Sequence, residues 1–459
     1  MRSPEAHRAK TAPFVPLLAK ELREIAGGRA LWIMLLLLCP LVGYSFFQAV
    51  SLYGESSAAA QQSPVLAVSL SPLDGVLVPS FGALYVAVTL LFPFVAIRAV
   101  NHEKETGALR LLAQLPYRTS TLIAAKSAAV LVAWLLASVP ALSALFVWLL
   151  LGGHVGPDET LNLLLGHLLY GCLVGAIALF AAAVADSAAT AAIVALAFTI
   201  GSWVLDFSLA GRPGLLDLIA RLSLTQVLRP FEQGLLSFGL IAGHIAAIAG
   251  FATLAGIWLR PGARTTVRLA RSAVCLLAMA LVIGAATQVR TAIDVTEERR
   301  NSLPAADERL LATLPGLLTV TVHLAVEDPR YADLQRNVLQ KLERAMSYVT
   351  IRLGGGRQAA AAESDAHYGQ IEYVYGGRSD MSRSTSPREI VPLIYALAGV
   401  ARPEPLPSAD YPGYPLVANA GPALVWFFGA LPVVIVCGWL WSRRPPSVQL
   451  VSSYRGGSS

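Results

Sequence analysis

The chain has 459 residues, 55% of them hydrophobic and only 14% charged, with a mean hydropathy of +0.59. A typical soluble domain carries about 25% charged residues, so the composition excludes a soluble enzyme. The net charge of +6 does not indicate a nucleic-acid-binding protein, because Lys and Arg are absent from three long runs, residues 30–97, 127–211 and 230–259. Apolar runs of this length without Lys or Arg are typical of membrane spans.

Eight apolar runs predict eight membrane-spanning helices. They cover residues 31–50, 81–97, 122–151, 162–185, 188–210, 235–259, 271–288 and 422–441. The first is longer than the roughly 7–15 apolar residues of a signal peptide, which favours an uncleaved span. Each of the four cysteines lies inside an apolar run and none has a CxxC partner, so we expect buried thiols without a disulfide or a metal cluster.

The basic residues predict the orientation of the spans. They concentrate before span 1, between spans 2 and 3, between spans 6 and 7, and after span 8, whereas loops 51–80 and 152–161 contain no Lys or Arg. Since positive loops stay in the cytoplasm, both termini are predicted to be cytoplasmic. Loop 211–234, with three arginines, is the exception. Residues 290–421 then lie outside, because long domains translocate largely regardless of charge.

The polar region between spans 7 and 8 has the pattern of a small α/β domain. Alternating apolar residues predict strands, and helical spacing predicts helices between them. Ser386 and Glu389 form a capping box before the last helix, and five prolines in residues 403–415 indicate an extended connector. The predicted order is strand, helix, parallel strand, strand and helix: residues 317–324, 331–346, 348–353, 370–375 and 387–398. The fold class is a polytopic α-helical membrane protein with about eight transmembrane helices and an extracytoplasmic α/β domain between the last two.

Motifs for catalysis are missing from the sequence, and we assign no catalytic residue and no metal ligand. The motif that begins at His102 lacks the second His of a zinc protease, and neither a GxSxG elbow nor a phosphate-binding loop occurs. Asp186 and Asp206 lie at span ends, while His167 and His244 are isolated, which disfavours a proton-coupled transporter. Energy would therefore come from another polypeptide or a gradient.

The segment after span 2 is the most informative cytoplasmic part of the chain. A charged turn leads into a short amphipathic helix on which Leu109, Leu112 and Leu115 share one face, and Pro116 ends it. Such a face fits the groove of a partner protein, and the alternative is a solvated loop with snorkelling cations. A second amphipathic helix, residues 14–26, is predicted to lie along the membrane before span 1.

These elements resemble the permease subunit of ABC-2-type ATP-binding-cassette transporters. Residues 103–116 (E-K-E-T-G-A-L-R-L-L-A-Q-L-P) are similar to the family pattern E-x-x-x-G-T-x-x-x-L-L-x-x-P, with Ala108 where Thr is usual. Lys126 matches a basic residue that opens span 3, and residues 222–234 resemble the family's short extracellular helices. The nearest branch is that of gliding motility and copper-enzyme maturation. The resemblance implies an ATPase-coupling segment, comprising Glu103, Lys104, Glu105, Thr106, Gly107, Leu109, Leu112, Leu115 and Pro116. It also implies an extracellular gate loop that contains Arg229, Pro230, Glu232 and Gly234.

From about residue 271 the chain resembles the auxiliary protein that is encoded beside gliding-associated permeases. Residues 294–304 are similar to its D-x-T-x-x-x-x-x-S-L-S opening, with Pro304 in place of the last Ser. The resemblance implies a truncated auxiliary domain fused to its permease. The predicted organisation is a cytoplasmic N-terminus, a six-span permease core, span 7, the auxiliary-like domain with its connector, span 8 and a cytoplasmic tail: residues 1–29, 30–260, 271–289, 290–421, 422–441 and 442–459.

The resemblance implies a permease subunit, most simply of an exporter, in a bacterial cytoplasmic (inner) membrane. Its partners would be the lipid bilayer, two copies of an ABC ATPase that carry the ATP and Mg, a second permease copy in a homodimer, and an extracytoplasmic protein. We expect no cofactor on this chain and no nucleic-acid partner. The alternative is a mechanotransmission or scaffold complex, in which ATP hydrolysis moves the outer domain and nothing crosses the membrane.

Overall fold

The computed structural model describes residues 14–61, 63–114, 118–209, 223–260, 262–289, 291–325, 328–353, 368–404 and 411–443. Two predicted coupling residues, Leu115 and Pro116, lie outside the described residues, as do residues 1–13 and 444–459.

Within these ranges, eight helices are long and apolar enough to cross a membrane, which confirms the predicted number. Spans 1 to 8 are Arg29–Ala60, Leu73–Glu105, Thr119–Leu150, Pro157–Val184, Ala188–Leu209, Phe238–Leu259, Thr265–Ala286 and Gly421–Ser442. Spans 1, 2 and 3 have 32 or 33 residues, whereas about 20 residues cross the hydrocarbon core. Spans 1 and 2 therefore extend at both ends beyond the apolar runs from which they were predicted.

Span 4 lies at the centre of the bundle and span 7 at its margin. Of the apolar stretch of each helix, 72% is buried within the protein for span 4 but 6% for span 7. Glycines allow the close packing of span 4, because a Cβ atom at Gly171 would lie 2.0 Å from the Trp134 indole, and one at Gly175 would lie 2.7 Å from Val130. Span 7 packs on span 6, and span 8 packs on span 1 through Phe427 against Gly43.

Shorter helices in the described part of the chain accompany the spans. Among them are the N-terminal helix Phe14–Gly27, the helix Ala108–Gln114 after span 2, and the helix Leu224–Glu232 before span 6. The prediction that span 6 begins at residue 235 is wrong. Leu235–Ser237 forms strand β1, which pairs antiparallel with β2, Ala292–Asp294. Apolar side chains alone do not distinguish a membrane helix from a strand whose partner lies more than fifty residues away.

The α/β region has its own apolar core, and its described residues form a four-stranded sheet. The strands are β3 Leu318–Val322, β4 Val349–Leu353, β5 Ile371–Tyr375 and β6 Arg378–Ser382, in the spatial order β4-β3-β5-β6. β3 and β4 are parallel, which confirms the predicted crossover through helical residues 329–345, and the other two pairs are antiparallel. Helices Ala305–Thr313 and Pro387–Ala398 contribute to the same core.

Two details of the α/β region differ from prediction. Ser386 precedes the helix Pro387–Ala398 but its side chain makes no capping hydrogen bond, so the capping-box interpretation is wrong. β6 was missed because its sequence, R-S-D-M-S, lacks alternating apolar residues. A two-residue turn of Gly376 and Gly377, both with positive φ, joins β5 to β6, and a Gly-Gly pair after a strand is the signal that would have found it.

Candidate functional site

A buried cluster of lysine and glutamate side chains lies at the end of the bundle opposite the α/β region. Lys126 of span 3 is at its centre and is fully buried. Its Nζ lies 2.8 Å from Glu21 Oε1 and 2.8 Å from Glu103 Oε2, and donates a 2.5 Å hydrogen bond to the carbonyl of Ala99. Both carboxylates are buried as well. We call Lys20, Glu21, Glu103 and Lys126 the lysine–glutamate cluster.

Lys20 lies at the partly exposed edge of the cluster and contacts its carboxylates. Its Nζ pairs with Glu103, lies 3.3 Å from Glu21 Oε1 and lies 3.1 Å from Glu24 Oε1. The carboxylates of Glu21, Glu24 and Glu103 are close enough together to ligate one cation. The ammonium groups of Lys20 and Lys126 lie among these carboxylates instead. Because each buried carboxylate has an ammonium partner, charges that would be costly in isolation are stabilised in the protein interior.

The N-terminal helix supplies two members of the cluster because of its residue spacing. Leu17, Glu21 and Ile25 follow one another at intervals of four, share one helix face and are all buried. Burial raises the pKa of Glu21, and Lys126 acts in the opposite direction. Burial lowers the pKa of Lys20, but its pairing with Glu103 and Glu21 outweighs this and the pKa lies above its usual range. Sequence reasoning missed Glu21, although an acidic residue within an apolar stripe is a signal for it.

Lys104 joins the end of span 2 to the end of span 4. Its Nζ donates hydrogen bonds of 2.6, 2.9 and 2.8 Å to the carbonyls of Ala182, Ala183 and Ala185. The last carbonyls of a helix have no partner within it, and a lysine there also complements the helix dipole. Of the predicted coupling residues, Glu103 and Lys104 therefore bind within the chain and fix the position of the segment that follows.

The described leucines of the helix Ala108–Gln114 differ in exposure, and Leu112 is half-buried. Gly107, with a φ of +73°, makes the turn between this helix and span 2. Leu109 packs against the hydrophobic core of the helical bundle, whereas the side chain of Leu111 is 68% exposed. Glu105 and Thr106 are also exposed on the turn.

The predicted gate loop contains a helix that packs against span 4. Asn162 Nδ2 donates to the carbonyl of Phe231 at 2.9 Å, and His167 Nε2 lies 3.9 Å from Glu232 Oε1. Burial raises the pKa of Glu232 to about 7, while Arg229 lowers it. Arg229 itself is exposed, and Pro230 is half-buried.

The gate loop is attached directly to the α/β region. Gly234, with a φ of +76°, accepts a 3.0 Å hydrogen bond from the Val295 amide, and a Cβ atom there would lie 2.2 Å from Thr296 Cγ2. The carbonyl of Gln233 accepts hydrogen bonds from Asn301 Nδ2 at 2.7 Å and from Arg300 Nε at 3.2 Å. Strand pair β1–β2 continues this attachment. We call these contacts the junction.

The segment Asp294–Asn301 is shaped for the junction by the carboxylate of Asp294. One oxygen accepts from the amide and the hydroxyl of Thr296, at 3.1 and 2.6 Å, and the other accepts from the Asn301 amide at 2.8 Å. Arg300 reaches further and pairs with Asp74 at the start of span 2. The Asp and Thr of the sequence motif therefore fold the segment, a role that the motif alone did not indicate.

The connector to span 8 also binds the bundle. The hydroxyl of Tyr53 donates to the carbonyl of Tyr414 at 2.7 Å, and the amide of Leu416 donates to Ser57 Oγ at 3.0 Å. Tyr414 stacks on His154 with ring centroids 3.5 Å apart, and His154 Nε2 lies 2.9 Å from Glu297 Oε2. Residues 411–416 thus lie against span 1, whereas the sequence had indicated only an extended tether.

Comparison with known proteins identifies the family of the membrane part. The model of a family described as "ABC-2 family transporter protein" matches residues 15–290, which is more than half of the chain. No curated protein and no solved structure matches the chain. The matched range contains the lysine–glutamate cluster, the helix after span 2 and the gate loop. It ends before the α/β region, so neither the gliding-motility branch nor the fused auxiliary domain gains support.

Proposed function

The chain belongs to the ABC-2 transporter family, and from this premise we propose that it couples ATP hydrolysis by a separate subunit to movement of its spans. It is a membrane permease subunit. In our proposal the ATPase binds the segment Glu103–Pro116 on the cytoplasmic side and the transporter exports its substrate. The basic residues near this end of the bundle support the orientation.

The lysine–glutamate cluster is the observation that carries this proposal. It joins the N-terminal helix, the end of span 2 and the start of span 3 through buried ion pairs. Lys104, next in sequence to Glu103, holds the end of span 4. A displacement of helix Ala108–Gln114 would therefore reach four elements at once, as a rigid-body movement requires.

The proposed assembly contains two ATPases and two permeases. Six permease spans correspond to half of a transporter, and a homodimer with twofold symmetry is the simplest way to complete it. The ATP and Mg would be held by the ATPase subunits. The α/β regions of two copies would then lie on the outer side, next to the gate loops.

Leu111→Asp tests the coupling proposal, because the Leu111 side chain is strongly exposed on the helix after span 2. The tagged chain is purified from its native host in mild detergent, and its co-purifying ATPase is quantified by mass spectrometry. We expect a loss of at least about tenfold, since a charge buried in an interface costs several kcal/mol. Leu66→Asp is the matched control, since Leu66 is 50% exposed at the other end of the bundle. Equal ATPase recovery with both variants, in normally folded chains, contradicts the assignment.

The junction favours the mechanotransmission alternative as a second candidate. A backbone strand pair joins the gate loop to the α/β region, so movement of the gate would move that region whether or not a substrate passes. Spin labels at Leu66 and Leu317, in a chain whose four cysteines are replaced by alanine, would report their distance in the complete complex. An ATP-dependent change of distance without ATPase-dependent substrate flux supports the alternative, and an unchanged distance distribution excludes it.

A further inference from the structure

The turn between spans 6 and 7 carries a group of arginines that the proposed function does not use. Arg260 ends span 6, and Arg264, Arg268 and Arg271 follow at positions i, i+4 and i+7. Arg268 and Arg271, three residues apart in span 7, lie on one face of the helix, and Arg264 is its N-cap residue. We call these three residues the arginine ladder. Residues 259–272 contain no Asp or Glu, so the segment has no carboxylate of its own to balance four positive charges.

Arg268 is held in place by contacts within the chain, but part of its hydrogen-bonding capacity is unused. Its Nη2 donates to the carbonyl of Arg260 at 2.7 Å, and its guanidinium lies 5.9 Å from the centre of the Trp258 ring. Its Nε atom is buried and has no hydrogen-bond partner among the described residues. Arg264 and Arg271 are exposed. Within the described ranges, no ion pair within 4.0 Å joins any of the four arginines to a carboxylate.

The depth of the ladder indicates where its counter-ion comes from. Arg271 is seven residues after Arg264, which is about 10 Å along the helix axis. The polar layer on each side of a bilayer is only about 5–8 Å thick. Little of the apolar part of span 7 is buried within the chain, and Arg264 and Arg271 are exposed, so lipid has access to the ladder. A guanidinium that lies at the edge of the hydrocarbon without a carboxylate partner favours a nearby anion, and a lipid phosphate is the anion that the bilayer provides there.

We propose that the arginine ladder binds the headgroup phosphate of an anionic glycerophospholipid. The first amides of span 7, a helix of 22 residues, have no partners within the helix and add donors for the same anion. The acyl chains lie along the exposed apolar side chains of span 7, among them Val267, Leu269 and Val274. An anionic lipid is favoured over a zwitterionic one because the ladder brings an excess of positive charge.

The position of the site gives it a connection to the coupling segment. Lys104, which holds the end of span 4, is within electrostatic reach of the Asp186 carboxylate and, with a smaller and opposite effect, of the Arg268 guanidinium. A bound phosphate would screen this repulsion between two cations and so stabilise the arrangement of spans 2, 4 and 7. The lipid would therefore act at the same end of the bundle as the proposed ATPase contact, without being part of it.

Native mass spectrometry of the full chain in non-ionic detergent tests the proposal, with phosphatidylglycerol and phosphatidylcholine as probes. The wild-type chain should bind phosphatidylglycerol more tightly. Arg268→Gln with Arg271→Gln should weaken that binding about 30-fold, since each cation near an anionic headgroup contributes about fivefold. Arg443→Gln is the matched control, because Arg443 also lies over an aromatic ring, that of Trp439, outside the ladder. Its effect should be less than about twofold.

Further measurements separate lipid binding from misfolding, from capture of a free anion and from self-association. Arg268→Lys with Arg271→Lys keeps the charge, and retained affinity there shows that the loss in the glutamine variant is not misfolding. Equal binding of both lipids by the wild-type chain, or unchanged phosphatidylglycerol binding by the glutamine variant, overturns the proposal. Competition by inorganic phosphate as effective as that by the lipid would overturn it in favour of a free anion. A lipid-independent dimer that the glutamine variant dissociates would overturn it in favour of a second copy of the chain.

Discussion

The two ends of the helical bundle are held together by different chemistry. At one end, Lys126 is shared by two buried carboxylates, and Lys104 binds three helix-terminal carbonyls. At the other end, the α/β region is attached by a backbone strand pair and by hydrogen bonds to the carbonyl of Gln233. Its ion pairs there are partly exposed, as between Arg300 and Asp74.

The two ends consequently depend on their side chains to different extents. A buried charge that loses its partner keeps its full desolvation cost, so the lysine–glutamate cluster depends on each of its members. Backbone hydrogen bonds survive most side-chain changes, so the junction depends on its backbone geometry instead. We therefore expect the cluster to be sensitive to loss of charge, and the junction to be sensitive to added volume at its glycine.

The largest effect is expected from Lys126→Met, which leaves the buried Glu21 and Glu103 with only the partly exposed Lys20 as a shared cation. Removing one partner of a buried ion pair costs about 3–5 kcal/mol, to be measured as a fall in the apparent melting temperature of the purified chain. Combining it with Glu21→Gln and Glu103→Gln should recover part of the loss, because no uncompensated charge remains. A triple variant as unstable as the single one would contradict the electrostatic explanation.

At the junction, Gly234→Ala should cost about 1–3 kcal/mol, because the backbone has a positive φ and a Cβ atom meets Thr296. We expect faster hydrogen exchange at β2, with the spans unchanged. Gly243→Ala is the control within span 6, where a Cβ atom meets nothing within 4 Å. If exchange at β2 is the same in both variants, the junction does not depend on the backbone geometry of Gly234.

Glu232 combines features of both ends, because its carboxyl is largely buried and no lysine pairs with it among the described residues. Its pKa is raised by burial from 4.5 to about 7, so the unfolded chain binds fewer protons between these values and stability falls as pH rises. The contribution is about 3 kcal/mol, since one unit of pKa corresponds to about 1.4 kcal/mol. Glu232→Gln should therefore melt above the wild-type chain at pH 8 but not near pH 4.5, and Asp158→Asn, an exposed control, should show no such trend.

The smallest effect is expected from Glu297→Gln, which removes the carboxylate that faces His154. Both side chains are partly exposed, and such pairs contribute about 0–1 kcal/mol. The melting temperature should change little in low salt and still less in high salt, since mobile ions screen exposed pairs. A loss as large as that of Lys126→Met would mean that buried and exposed charges contribute equally at the two ends.

The sequence predicted the spans well because long charge-free runs have few alternative structures. It predicted the parallel pair β3–β4 for a similar reason, since their apolar alternation is local. It failed for residues 235–237, where the choice between helix and strand depends on a distant partner. For the candidate site, Glu103, Lys104 and Lys126 could be selected from the sequence, but their inward contacts could not. Whether Lys104 binds a partner or the end of span 4 depends on a helix about eighty residues away.

The α/β region is joined to the membrane at both of its ends, by span 7 and by span 8. Tethered surfaces meet as if each were present at millimolar concentration, so contacts too weak for two separate molecules still form. The hydrogen bonds of the junction can therefore break and re-form repeatedly without loss of the region. Such an attachment would let the α/β region exchange its contacts with the gate loop repeatedly while both of its ends stay anchored in the membrane.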